Sequence, residues 1–196
     1  MNGSPVLSSS ETTLGILAGG QATRLGGLDK AWLRREGQPQ VLRIAARFRP
    51  RVAAVIVSAN RDHERYAAEG LASVGDRQSG IGPLAGLDAL AQACATPWLL
   101  TLPVDLVDAN DCLLASLFAA GGQGAYAEDD DGPQPLVALW AVAPLRSALR
   151  AALASGEHAV HALQRRLGMV PVHLAGVRFG NLNTPEDLRN AGVGPA

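Results

Sequence analysis

Short apolar runs alternate with helix-length segments along almost the whole chain, and that alternation restricts the fold more than any other feature. A strand is expected over about 13–18, then a helix over 39–48 with Val41, Leu42, Ile44, Ala45 and Phe48 at helical spacing. The unbroken run Val52-Ala-Ala-Val-Ile-Val57 reads as a strand buried on both faces. A short helix over 61–69, ended by Gly70, and a brief strand over 71–74 follow. Next come a helix over 83–95, a strand over 98–102, a helix over 110–120 and an extended piece over 125–127. Beyond the acidic stretch 128–131, read as a solvated loop, a strand is expected over 135–140 and helices over 144–154 and 158–168. Short strands over 170–174 and 177–179 and a helix over 184–190 complete the order. Such alternation implies an α/β chain, a mostly parallel sheet covered by helices on both faces. Residues 1–11 are expected to form a disordered tail and 12–196 one domain, without internal repeat or linker.

Composition narrows the function. Of 196 residues, 47% are hydrophobic and 18% charged, a globular balance with a sizeable core. A net charge of −1 leaves no broad electrostatic footprint for nucleic acid or an anionic membrane. Aromatics at 4% give little for stacking single-stranded bases. The N-terminal stretch lacks the cationic end and apolar core of a signal peptide, and no apolar run is long enough to span a bilayer. Cys94 and Cys112 have no metal-ligand spacing and read as buried free thiols in a reducing compartment. A soluble cytoplasmic protein is expected.

In a parallel sheet, ligands bind outside the carboxyl ends of the strands, so the loops after 13–18, 52–57, 71–74 and 98–102 matter most. The first reads LAGGQATRLGGLDK over 17–30. It fits neither the P-loop nor the dinucleotide fingerprint. Its glycines nevertheless let backbone N–H groups converge on an anion, while Arg24 and Lys30 supply charge. The bland reading of the same segment is a flexible surface loop with two solvated cations. Asp105, at a strand end, reads by itself as a turn cap; with phosphates expected opposite, it reads as a ligand for Mg²⁺, which needs only one or two carboxylates. His158 and His161 have no third ligand at useful spacing.

Together, Leu17-Ala18-Gly19-Gly20, Arg24-Leu25-Gly26-Gly27 and Asp29-Lys30 resemble the LAGGxxxRMGGxDK signature of the MobA-like nucleotidyltransferases. Later segments resemble that family in order. Ser58-Ala59-Asn60-Arg61 is similar to NANR, and Asp76 followed by Gly82-Pro83-Leu84-Ala85-Gly86 to D…GPLAG. Pro103-Val104-Asp105 matches P-x-D, and Asn181-Leu182-Asn183-Thr184-Pro185-Glu186 is similar to NVNTPE. Four positions depart from the pattern: Leu25 replaces methionine, Ser58 an asparagine, and Leu106-Val107 a Thr-Pro pair.

The resemblance implies a Rossmann-like nucleotidyltransferase fold with a GTP-binding N-terminal half and a molybdopterin-binding C-terminal half. It implies transfer of GMP from GTP to the terminal phosphate of the molybdenum cofactor, with Mg²⁺ as cofactor. Molybdoenzymes and cofactor-insertion proteins would be the partners. The family implies catalytic roles for Arg24, Lys30 and Asp105, with Asp105 on the metal; Asp29, next to Lys30 in sequence, is expected to orient it. Leu17, Ala18, Gly19, Gly20, Ser58, Asn60, Asp76, Gly82 and Gly86 would line the nucleotide, with Asn60 serving where Ser58 falls short. Asn181 and Asn183, and Arg165 with Arg166, would face the pterin. Glycine at 19, where cytidylyltransferase relatives carry alanine, implies guanine over cytosine. A relative using CTP or another phosphorylated acceptor, and a nucleotide-binding adaptor without activity, are the alternative readings.

Overall fold

The computed structural model describes residues 9–19, 29–78, 80–109 and 112–194. Gly20 and Arg24, together with Leu25, Gly26 and Gly27, lie outside the described residues. Of the expected tail, residues 9–11 form a 3-10 turn leading into the first strand.

In chain order, β1 (Thr12–Leu17), β2 (Arg34–Arg35), β3 (Gln38–Pro39), α1 (Gln40–Phe48), β4 (Ala54–Ser58) and α2 (His63–Ala68) come first. Then follow β5 (Ala72–Val74), α3 (Pro83–Ala93), β6 (Trp98–Pro103), α4 (Leu113–Ala119), β7 (Gly124–Asp129) and β8 (Gly132–Ala141). The last elements are α5 (Val142–Ser155), α6 (Val160–Leu167), β9 (Val170–His173), α7 (Pro185–Asn190) and β10 (Val193–Gly194).

Seven strands form the central sheet in the order β5-β4-β1-β6-β8-β7-β9. β8 runs against both its neighbours, and every other pairing is parallel. The period-2 alternation of strand side chains divides the core into two layers. Leu14, Ile16, Val57, Leu100, Leu102, Val137 and Leu139 face α1, α2 and α4. Ile56, Leu99, Ala138 and Trp140 face α3, α5 and α6. The result is the expected three-layer α/β/α arrangement. Across β6 and β8, Trp140 Nε1 donates to Thr101 Oγ1, which donates to the Leu136 carbonyl, so the buried polar atoms of this strand pair are satisfied.

Several sequence expectations are corrected. Ala53 and Ala54 are exposed; β4 lies one strand from the sheet edge, and the edge strand β5 reaches only Ile56–Ser58, leaving the start of β4 without a neighbour on that side. The acidic stretch is no solvated loop. Glu128 and Asp129 end β7, and Asp130-Asp131 form the tight turn into β8, pairing Asp129 with Gly132. The segment 177–179 forms no strand, since its backbone groups are taken elsewhere. The Phe179 N–H donates to Asp129 Oδ2 at 2.9 Å, and the Val177 carbonyl accepts from Asp130. Cys112 is exposed rather than buried, while Cys94 is buried as expected. A second sheet, β10-β2-β3, was not anticipated; its strands have two residues each and carry no readable alternation. Leu33, Leu182 and Val193 pack beneath it. Among the described residues, no helix is long and apolar enough to cross a membrane.

Candidate active site

The carboxyl ends of β1, β4, β5 and β6 open on a cleft of about 1050 Å³. Backbone bonds carry the sheet pattern beyond the strands: Ala18 donates to the Ser58 carbonyl and Val104 to that of Leu17. Leu17, Ala18 and Gly19 therefore leave β1 along the cleft wall. Ser58 and Asn60 reach the cleft from the end of β4, Asp76 from beyond β5, Gly82 and Gly86 from α3, and Asp105 from beyond β6. Lys30 faces them from the far end of the glycine-rich segment.

Lys30 is the junction of the site. Its Nζ lies 2.8 Å from Asp105 Oδ2 and 2.8 Å from Asn183 Oδ1. Both Lys30 and Asp105 side chains are 22% exposed, enough shielding to strengthen their attraction while leaving them accessible. Asp29 does not orient Lys30. Its carboxylate caps the 3-10 turn Lys30–Trp32, accepting from Ala31 N at 2.9 Å, and its other oxygen meets Arg61 Nε at 3.4 Å. The two Asp29 oxygens thus serve Ala31 N and Arg61, while the Lys30 ammonium pairs with Asp105 and Asn183.

Asn60 and Asp76 form a reciprocal pair. Asn60 Nδ2 donates to Asp76 Oδ2 at 2.7 Å, and Asp76 N donates to Asn60 Oδ1 at 2.8 Å. Asn60 is thus a brace for Asp76, with its carbonyl and one amide proton committed. Two buried polar atoms at this wall, Asp76 Oδ1 and Ser58 Oγ, have no hydrogen-bond partner among the described residues. Buried unpaired acceptors are costly, and a ligand presenting N–H or O–H groups would satisfy them.

The glycines of the cleft differ in their reasons. A Cβ on Gly86 would stand 2.6 Å from Ser58 Oγ and 3.0 Å from Leu17 Cδ2, so this glycine lets α3 lie against β1 and β4. Gly82 holds φ +63° with open space around it, so there the backbone turn requires glycine. A Cβ on Gly19 would meet Ser58 and Asn60 at no less than 3.7 Å, which is ordinary contact. Among the described residues, nothing crowds an alanine at 19. Gly86→Ala is expected to cost about 1–3 kcal/mol, and adding Ser58→Ala should recover part of it by removing the clashing oxygen. Urea melts of the two single variants and the double variant check this coupling; strictly additive losses would refute it.

Asn181 does not line the cleft; it forms a bridge with Leu106, and Leu182 N donates to the Asp105 carbonyl. His158 precedes α6, so it shares no helical face with His161, and Arg165 and Arg166 are exposed on that helix. Among the described residues no group of three or more His, Cys, Asp or Glu side chains is arranged to hold a metal ion. Sequence reasoning gave no task to several cleft residues, among them Arg61, Gly80 and Leu136. Arg61 was visible as the last residue of the motif 58–61. Leu136 had no signal, since it reaches the cleft only because β8 runs beside β6.

The family model for the MobA-like NTP transferase domain matches residues 14–170. The chain belongs to this family. A molybdenum cofactor guanylyltransferase from Serratia proteamaculans is 37% identical over 177 residues, covering 88% of this chain and 89% of that protein. A protein of the same description from Yersinia pestis is 32% identical, covering 88% of this chain and 90% of its own length. Among solved structures, the molybdopterin-guanine dinucleotide biosynthesis protein A of Archaeoglobus fulgidus aligns with a TM-score of 0.72. It is 20% identical and covers 91% of this chain and 96% of that one. The 2-C-methyl-D-erythritol 4-phosphate cytidylyltransferase of Thermus thermophilus aligns at 0.66 with 19% identity, covering 90% and 95%. Both likenesses concern the α/β fold. The family match ends before Asn181 and Asn183, so it does not reach the residue that completes the Lys30 junction.

Proposed function

We propose that the chain transfers GMP from GTP to the terminal phosphate of the molybdenum cofactor, releasing pyrophosphate and giving molybdopterin guanine dinucleotide. One observation carries the reading: Lys30 joins Asp105, at the nucleotide wall, to Asn183 of the C-terminal segment. A nucleotide held over β1 and β4 and an acceptor held by the C-terminal segment would meet at that ammonium. The guanylyltransferase relatives, similar over most of their length, support the same chemistry.

The acceptor phosphate is its own nucleophile. With a second pKa near about 6 it is largely dianionic at neutral pH, so no general base is needed. The protein must align the attack and neutralise charge on the phosphates. Lys30 fits that task, moving its ammonium from Asp105 and Asn183 towards phosphate oxygens. The described ionisable residues of the cleft are three carboxylates, Asp29, Asp76 and Asp105, against two cations, Lys30 and Arg61. Among the described residues, then, carboxylates outnumber cations, and a divalent cation arriving with the triphosphate would offset them. Asp105, with Oδ1 outside its ion pair, fits Mg²⁺, which takes oxygen ligands and retains waters. When bound, Mg²⁺ would supply positive charge along the phosphate chain.

Guanine over cytosine rests on Gly19, where the missing methyl leaves space beside Ser58 and Asn60. GTP with Mg²⁺ should therefore raise the melting temperature more than CTP with Mg²⁺, and Gly19→Ala should narrow the gap without unfolding the protein. An equal or reversed response of the unmodified chain would favour a cytidylyltransferase.

A further inference from the structure

Arg61 has a place in the cleft but no task in the reaction just described. It leaves the end of β4 with 58% of its side chain exposed, and its partner in the cleft is Asp29, 3.4 Å away. As a brace the contact is weak, because the largely exposed guanidinium is screened by water at a separation of 3.4 Å. The neighbouring elements are held together without it. Trp32 stacks on Tyr66 with ring centroids 4.9 Å apart, and the Arg65 guanidinium lies 3.8 Å over the Trp32 ring. These two contacts already fasten α2 to the turn Lys30–Trp32. Asp29 likewise has a structural duty, the cap on Ala31 N, that does not involve Arg61.

Both cations lining the described cleft are thus matched to cleft carboxylates when no ligand is bound: Lys30 to Asp105 and Arg61 to Asp29. We propose that Arg61 is a phosphate-binding residue for the nucleoside triphosphate, and that it leaves Asp29 for phosphate oxygens when the nucleotide enters. The inference rests on the nucleotidyltransferase reading above. A guanidinium suits the exchange, since its planar donors match two phosphate oxygens as well as one carboxylate. Asp29 then acts as a resident counter-ion that competes with the substrate.

The two partners separate this role from a structural one. If the pair were only a brace, removing either member would have the same sign of effect. If phosphate displaces Asp29, Arg61→Ala should weaken GTP binding by about tenfold, the scale of one charge-assisted contact. Asp29→Asn keeps an acceptor for Ala31 N and should tighten GTP by about threefold. Titration calorimetry with magnesium and three probes, GTP, inorganic tripolyphosphate and guanosine, reads the exchange. Arg61→Ala should weaken GTP and tripolyphosphate together and leave guanosine unchanged, with Arg61→Lys recovering part of the loss. Effects of the same sign in Arg61→Ala and Asp29→Asn, or a loss confined to guanosine, would overturn the exchange while leaving the nucleotidyltransferase reading intact. An unmodified protein that binds neither GTP nor tripolyphosphate would overturn both.

Discussion

Asp105→Ala is expected to reduce pyrophosphate release from GTP and molybdopterin by about 10³-fold or more, the scale of losing a preorganised charge in a reaction centre. The carboxylate would hold the divalent cation and, in the ligand-free protein, holds Lys30 at 2.8 Å. Losing it removes the fixed negative charge that places both positive groups. Folding should be nearly unaffected. The backbone carbonyl of Asp105 still accepts from Leu182, and the lost ion pair is partly exposed on both sides. Asp105→Asn sharpens the test, because it keeps an acceptor for Lys30 and loses only the charge. If the metal role dominates, Asn should be nearly as damaging as Ala; if placing Lys30 dominates, Asn should rescue much of the rate. Near-normal turnover in the alanine variant would sink the assignment of Asp105.

The second large effect concerns folding. Asp129, 2% exposed, accepts from the Phe179 N–H at 2.9 Å and from Asp131 N and Gln134 Nε2. Burial alone would push its carboxyl up, but these hydrogen bonds outweigh burial and hold it below the usual aspartate value of 3.8. A group whose folded value is depressed adds stability above its unfolded value and loses it as pH falls through the folded one. Asp129→Ala is expected to cost about 3 kcal/mol at neutral pH, since the buried Phe179 N–H would lose its acceptor. Asp129→Asn should cost less, and its deficit against the unmodified protein should shrink as pH falls below about 4. Urea midpoints at pH 7 and near pH 3 measure both. A deficit that stays constant across that range would mean that the charge of Asp129 contributes nothing.

The contrast between these two aspartates shows what could be read from the sequence. Asp105 was legible because it follows an apolar strand, and the carboxyl ends of such strands are where α/β sheets bind ligands. Asp129 was not, because the run 128–131 has the composition of a solvated loop. Only the pairing of β7 with β8, and the return of 177–179 beside them, turns one of its carboxylates inward. The alternation of strands and helices likewise gave the layers, yet could not give the reversal of β8, which is a property of the order in space. At the site, Gly86 and Gly19 stand in the same kind of motif. The position of Ser58 Oγ shows that packing requires the first, while the described neighbours of the second leave ordinary contact distances. The partner of Lys30 was misassigned to its neighbour Asp29 for a related reason. Adjacency in sequence suggested contact, whereas Asp29 caps its own turn and Lys30 pairs with Asp105 from a distant strand end.

The junction at Lys30 also sets an order of assembly. Its contact with Asn183 spans 153 positions of the chain, and β2, just beyond the lysine, pairs Arg35 with Val193. A ribosome makes the glycine-rich segment early and the asparagine late. During synthesis the nucleotide wall gains its sheet neighbours first, while Lys30 stays tethered on one side only. The nascent protein therefore cannot complete its reaction centre until the segment around residues 183–193 has emerged and docked, so binding pocket and transfer competence arise at different times in the life of each molecule.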